Sequence, residues 1–183
     1  MLRSSLVVWA LVGMIAVCVG AGRADAAEDG FKPIFDGKTL DGWHCPDMSY
    51  WSVEDGAITA KSSAEHPCKK NQFLVWTLGE LDDVELKLKF RISGSPSANA
   101  GVQIRSAIKE DGHAEGYQAD IDMAGKWAGA LYDEHTGRKM LAARGQKTVI
   151  DAGGDRKVTH LKDPDELMKH IKPGDWNEYH ITA

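Results

Sequence analysis

The chain is poor in the features that mark two large classes of protein. Its 22 Lys and Arg are outnumbered by 27 Asp and Glu and lie scattered among them, which leaves no basic patch shaped to hold nucleic acid. Long apolar runs are equally scarce. The longest, Leu6 to Val19, is 14 residues, short of the ~20 that a membrane-spanning helix needs, so stable membrane insertion is not expected. There are only 3 cysteines, no internal repeat and no low-complexity segment, and one stretch alone carries helix signals.

The apolar run has a different reading. Arg3 precedes it, and Ala24-Asp25-Ala26 follows as a small-x-small cleavage site. That combination reads as a secretory signal peptide over residues 1–26, outside the fold. It places residues 27–183 in the periplasm or the medium. Lipid attachment at Cys18 is the alternative, disfavoured by the bulky Val17 before it. Cleavage leaves 157 of the 183 residues, enough for one domain with a real core. Loss of Arg3, Arg23 and Asp25 takes the net charge from −5 to −6.

Cys45 and Cys68 remain, and an oxidising compartment makes a disulfide between them the expected state, contributing about 3 kcal/mol. Two separate buried thiols are the alternative. His44 and His66 lack the tight spacing of a zinc site, so no metal ligand set is assigned.

Strand signals dominate the rest. Val84 to Ile92 alternates without a break: Val84, Leu86, Leu88, Phe90 and Ile92 on one side, Glu85, Lys87, Lys89 and Arg91 on the other. Period two over nine residues predicts a half-buried strand whose charged side is a solvated face. After Ser93-Gly94-Ser95-Pro96, Gly101 to Ser106 alternates again, which predicts a long-looped hairpin. Tyr117 to Asp122 and Trp127 to Tyr132 follow as strands, with Asp133 to Arg138 as a turn. Asn71 to Leu78 and Trp51 to Ala60 complete the set, the latter folded at Asp55-Gly56. The single helix starts at Asp163, with Pro164 at its first position, and stops near Pro173-Gly174. Many short antiparallel strands argue an all-β sandwich. Trp176 to Ala183 opens a further strand for which the sequence shows no partner.

Six segments occur together in one bacterial family. They are Phe35 to Trp43 (FDGKTLDGW), Trp51 to Ile58 (WSVEDGAI), Asn99 to Arg105 (NAGVQIR), Gly116 to Ile121 (GYQADI), Leu131 to Glu134 (LYDE) and Gly174 to Tyr179 (GDWNEY). From about Phe31 onward the chain resembles the 3-keto-disaccharide hydrolase family. The resemblance implies a concanavalin- or laminarinase-like jelly roll and an activity on sugars oxidised at carbon 3. Members continue for several strands past the last motif, so the domain is expected to lack its final strands here.

A 3-keto sugar suits elimination chemistry. The ketone acidifies the hydrogen on carbon 2, a base removes it, and the enolate expels the glycosidic oxygen before water adds back. That route needs a base, a stabiliser for the enolate oxygen and a proton donor to the departing alcohol. One sheet face offers candidates: Gln103 and Arg105 on one strand, and Gln118, Asp120 and Asp122 on another that plausibly neighbours it. By their chemistry, Asp120 is assigned as base, Arg105 as electrophilic stabiliser and Glu134 as acid. Gln103, Gln118 and Asp122 are assigned to substrate hydroxyls, Trp127 and Tyr132 to stacking on the ring, and His135 as an outlying candidate. The alternative for the polar side is an ordinary solvated sheet face.

No cofactor is expected, although a structural calcium is compatible. The partner implied is an oligosaccharide or an oxidised glycoside. Three other functions compete: a non-catalytic carbohydrate-binding module, a partner domain of a surface assembly, and a conventional glycosidase with paired carboxylates. Asp120 and Asp122 would make a poor pair for that last chemistry, since both approach from one side, whereas Asp120 with Glu134 would do better.

Overall fold

A computed structural model describes residues 5–11, 17–20 and 30–183. In chain order the strands are β1 (Ser5–Leu11), β2 (Val17–Gly20), β3 (Trp43–His44), β4 (Trp51–Glu54), β5 (Ala57–Ala60), β6 (Gln72–Trp76) and β7 (Glu85–Arg91). There follow β8 (Asn99–Ile108), β9 (Ala114–Asp122), β10 (Leu131–Glu134), β11 (Lys139–Ala142), β12 (Gln146–Ile150), β13 (Arg156–His160) and β14 (Asn177–Thr182). The only α-helix among the described residues is α1, Pro164–Met168.

The strands form two layers. A seven-stranded sheet runs β11-β10-β9-β8-β1-β6-β3, a five-stranded sheet runs β14-β7-β2-β5-β4, and β12 with β13 makes a separate two-stranded ribbon. The core lies between the large sheets. Ile58, Ala60, Phe90 and Ile92 from one side meet Leu74, Ala100, Val102, Ile104 and Ile121 from the other. Period-two alternation puts the intervening residues of β8 and β9 on the outer face of the larger sheet, where the site is built.

Several expectations are met. The Asp55-Gly56 turn joins β4 to β5 with both residues at positive φ, 50° and 76°, as a two-residue hairpin of type I′ requires. β8 and β9 pair directly, with Gln103 opposite Gln118 and Gly101 opposite Asp120.

Others are corrected. β7 and β8 do not form a hairpin: they lie in different sheets, and the connection carrying Gly94 crosses the edge of the core so that the apolar sides of both strands meet inside it. The segment from Trp127 is a turn up to Gly129, and the strand begins only at Leu131, because the Asp122 carboxylate gathers the backbone N–H groups of Lys126, Trp127 and Ala128. The helix is one short turn and a half, capped as expected by the Asp163 side chain on Asp165 N and Glu166 N.

β14 does find a partner: it pairs with β7 over six residue pairs, Tyr179 opposite Leu88. Cys45 and Cys68 are both buried thiols, and no disulfide joins them. The Cys45 thiol faces Gln72 Oε1 at 3.5 Å and the Cys68 thiol donates to Lys70 O at 2.9 Å, while burial pushes both thiols up from their ordinary pKa.

The segment read as a leader contributes two strands to the sheets. β1 sits between β6 and β8, and β2 between β5 and β7. The cleavage motif at Ala24 to Ala26 lies outside the described residues. No helix among the described residues is long and apolar enough to cross a membrane.

Candidate active site

Register places the polar side chains. On the outer face of the seven-stranded sheet, Gln103 of β8 stands opposite Gln118 of β9, and Gln118 stands opposite Tyr132 of β10. Asp120 and Asp122 follow Gln118 along the same side of β9, and Glu134 follows Tyr132 along β10. Gln118, Asp120, Asp122, Tyr132 and Glu134 floor a cavity of about 620 Å³, lined also by Trp127 from the turn after β9.

The floor is wired by hydrogen bonds. The Ser106 hydroxyl donates to Gln103 Oε1 at 2.8 Å, Gln103 Nε2 donates to Gln118 Oε1 at 2.9 Å, and Gln118 Nε2 donates to Asp120 Oδ1 at 2.6 Å. All four side chains are buried. Burial pushes the Asp120 carboxyl up to about 6; the Gln118 N–H opposes the rise, and the neighbouring Asp122 and Glu134 charges add to it.

Glu134 is raised as well, first by burial, against the attraction of His135 and His113. His135 Nε2 lies 3.0 Å from Glu134 Oε1, and the His113 ring packs edge-on against His135 with centroids 4.4 Å apart. Two buried acids with raised pKa values thus line one cavity, the setting in which carboxyl groups serve as general base and general acid.

The predicted site residues separate into groups. Asp120, Glu134, Gln118, Asp122, Trp127 and Tyr132 come together in the cavity. Asp122 is heavily engaged there: Oδ1 accepts Trp127 N at 2.9 Å and Ala128 N at 2.8 Å, and Oδ2 accepts Lys126 N at 2.9 Å. Gln103 is fully buried beneath the floor, and its amide oxygen and nitrogen serve Ser106 and Gln118. His135 touches Glu134 from outside the lining.

Arg105 is not brought to the cavity. The β8 register shifts between Ile104 and Ala107, Arg105 takes a left-handed backbone with φ 47°, and its guanidinium pairs with Asp82 at 3.1 Å and Asp83 at 2.5 Å. A single bulged residue turns the side chain away from the face that strict alternation assigns it.

Other residues of the site escape sequence reasoning. Lys126 and Lys139 are the cations that line the cavity, joined by Asn99. Lys126 Nζ lies 4.3 Å from the Trp127 ring centroid, while Lys139 opens β11 at φ 61°. Ser106 reaches the floor through the same bulge that removes Arg105. Tyr179 crosses from β14, its hydroxyl accepting Gly129 N at 2.9 Å and donating to the Asp120 carbonyl, so the five-stranded sheet supports both the turn and the acid. Asn99 and Tyr179 stand within segments of the family resemblance; for Lys139 the turn left the register open, and no pattern pointed to it. Among the described residues, no group of three or more His, Cys, Asp or Glu is placed to hold a metal ion.

The fold is a jelly-roll-like β-sandwich whose outer sheet face carries a cavity with buried acids, amides and an exposed indole. Residues 30–183 match the family described as the 3-keto-alpha-glucoside-1,2-lyase-like domain, and the chain belongs to that family. The family description points to glycoside processing. No curated protein and no solved structure matches the chain.

Proposed function

We propose that the protein cleaves 3-keto glycosides by elimination followed by hydration. The observation that carries this reading is the buried pair of raised acids, Asp120 and Glu134, in one cavity of a chain from this family. Asp120 takes the hydrogen from carbon 2, and the electron pair left behind forms an enolate on the carbon 3 oxygen. The enolate collapses, carbon 1 to oxygen cleavage follows, and Glu134 gives its proton to the departing alcohol. Water then adds to carbon 1 of the enone, returning a proton to Glu134, while Asp120 returns its proton to carbon 2. Both acids finish as they began.

With Arg105 held by Asp82 and Asp83, the charge on the enolate oxygen falls to Lys139. Trp127, 43 % exposed at the rim, offers its ring to the sugar. A 3-keto-α-glucoside with a coloured phenol as leaving group tests the reading. Release of the phenol, slowed by deuterium at carbon 2, is expected. Binding without release would instead make the protein a carbohydrate-binding module.

A further inference from the structure

The ribbon of β12 and β13 belongs to neither large sheet, yet an arginine from each end of it reaches a wall of the cavity. Arg144 stands just before β12, at the end where Gly145 O accepts Leu161 N at 2.8 Å and Lys162 N at 3.2 Å. Arg156 opens β13 at the other end, opposite Ile150.

Trp127 rides on the turn from Gly125 to Gly129. Asp122 takes the N–H groups of that turn, and Arg144 takes its carbonyls. Arg144 Nη1 donates to Gly125 O at 2.8 Å and to Ala128 O at 2.7 Å, while its Nε reaches Pro164 O of α1 at 3.2 Å. The two turn carbonyls bracket Lys126 and Trp127. Met168 of α1 covers Gly125 so closely that a Cβ there would stand 2.3 Å from the Met168 methyl carbon. The wall that carries the indole is thereby bolted to the ribbon and to the helix after it.

Arg156 does the same for β11, which ends the seven-stranded sheet. Its Nη2 donates to Arg138 O and its Nη1 to Met140 O, both at 2.7 Å. A planar guanidinium presents its N–H groups at a fixed spacing, and here they span the residue between the two carbonyls, Lys139. Lys139 has φ 61°, a left-handed backbone that a side chain disfavours and that persists where its neighbours hold it. This strained residue lines the cavity.

We propose that Arg144 and Arg156 are positioning residues that act through Trp127 and Lys139 to set two walls of the cavity. Their effects on turnover differ because the walls do different work. A ring stacked on Trp127 is held alike before and during reaction, so Arg144 governs KM. An enolate oxygen exists only once carbon 2 has lost its hydrogen, so Arg156 governs kcat. This division rests on the roles proposed above for Trp127 and Lys139; the bracing of the two segments does not.

Hydrogen exchange read by mass spectrometry tests the bracing without substrate. Arg144→Met speeds exchange in residues 125–129 about tenfold and leaves 138–141 unchanged, and Arg156→Met does the reverse. On a 3-keto glycoside, Arg144→Met raises KM about tenfold at nearly constant kcat, and Arg156→Met lowers kcat about tenfold at nearly constant KM. Neither loss adds to that of the residue it serves: Arg144→Met costs nothing further in Trp127→Ala, nor Arg156→Met in Lys139→Ala. Lys157→Met removes the neighbouring charge of β13 and changes neither exchange nor kinetics. Arg144→Gln or Arg156→Gln replaces a methionine variant that does not fold. Unchanged exchange in either segment, or losses that add in full to those of Trp127→Ala and Lys139→Ala, overturns the proposal. A wild type without activity refutes the catalytic reading, and the exchange result then decides the bracing by itself.

Discussion

The carboxylate of Asp122 accepts the backbone N–H of Trp127 at 2.9 Å, so the turn that carries the exposed indole is built on an acid of the cavity floor. Chemistry alone assigns Asp122 to sugar hydroxyls, yet its two oxygens already hold three amides of that turn. Asp122→Ala leaves those N–H groups without their partner and is expected to cost about 1 to 3 kcal/mol. Thermal unfolding measures that loss, and steady-state kinetics should show KM raised more than kcat, because the displaced element is the wall that receives the ring.

Asp120 carries a penalty for function. Its folded pKa, about 6, stands above the ordinary 3.8, so the native state binds a proton more readily than the unfolded chain. Stability from this group is therefore fully present below about pH 4 and is lost as pH rises toward 6 and beyond. Asp120→Asn removes the ionisation. Urea unfolding at pH 8 should find the variant more stable than the wild type by about 3 kcal/mol, and at pH 4 the two should nearly agree.

The two arginine-like roles can be separated. Arg105→Ala breaks ion pairs with Asp82 and Asp83, whose side chains are more than nine-tenths exposed, and should change kcat little. Lys139→Ala removes the cation proposed for the enolate oxygen and should lower kcat by about 100-fold. Equal losses in both variants would return Arg105 to the mechanism.

On the core side of β10, Asp133 is fully buried and paired with Arg138, whose Nε and Nη2 reach its two oxygens at 2.8 and 3.1 Å. Arg138→Met strands that carboxylate. Because the guanidinium itself is 42 % exposed, the lower end of the cost of breaking a buried pair, about 3 kcal/mol, is expected from chemical denaturation.

How far the sequence reaches is clearest along β8 and β9. Unbroken alternation from Tyr117 to Asp122 assigns Gln118, Asp120 and Asp122 to one face, and the structure keeps them there, because period-two side chains must obey the pleat. The same rule misplaces Arg105, since one extra residue in a strand reverses every assignment after it and leaves no mark in the pattern of apolar and polar residues. Lys139 enters the cavity by the geometry of a turn holding His135, Gly137 and itself at positive φ, which composition does not reveal. The extent of α1 also escaped, because a good cap at Asp163 starts a helix without fixing where it ends. The pairing of β1 and β2 within the sheets was hidden by a leader-like pattern that suits a central strand equally well.

The central claim is that Asp120 begins an elimination that only an oxidised sugar permits. Paired assays of a 3-keto-α-glucoside and its unoxidised parent, with wild type and Asp120→Asn, test it most directly. Release from the keto substrate alone, slowed at least about 100-fold in the variant, is the predicted result. Comparable release from the parent glycoside, or full activity in Asp120→Asn, would contradict it.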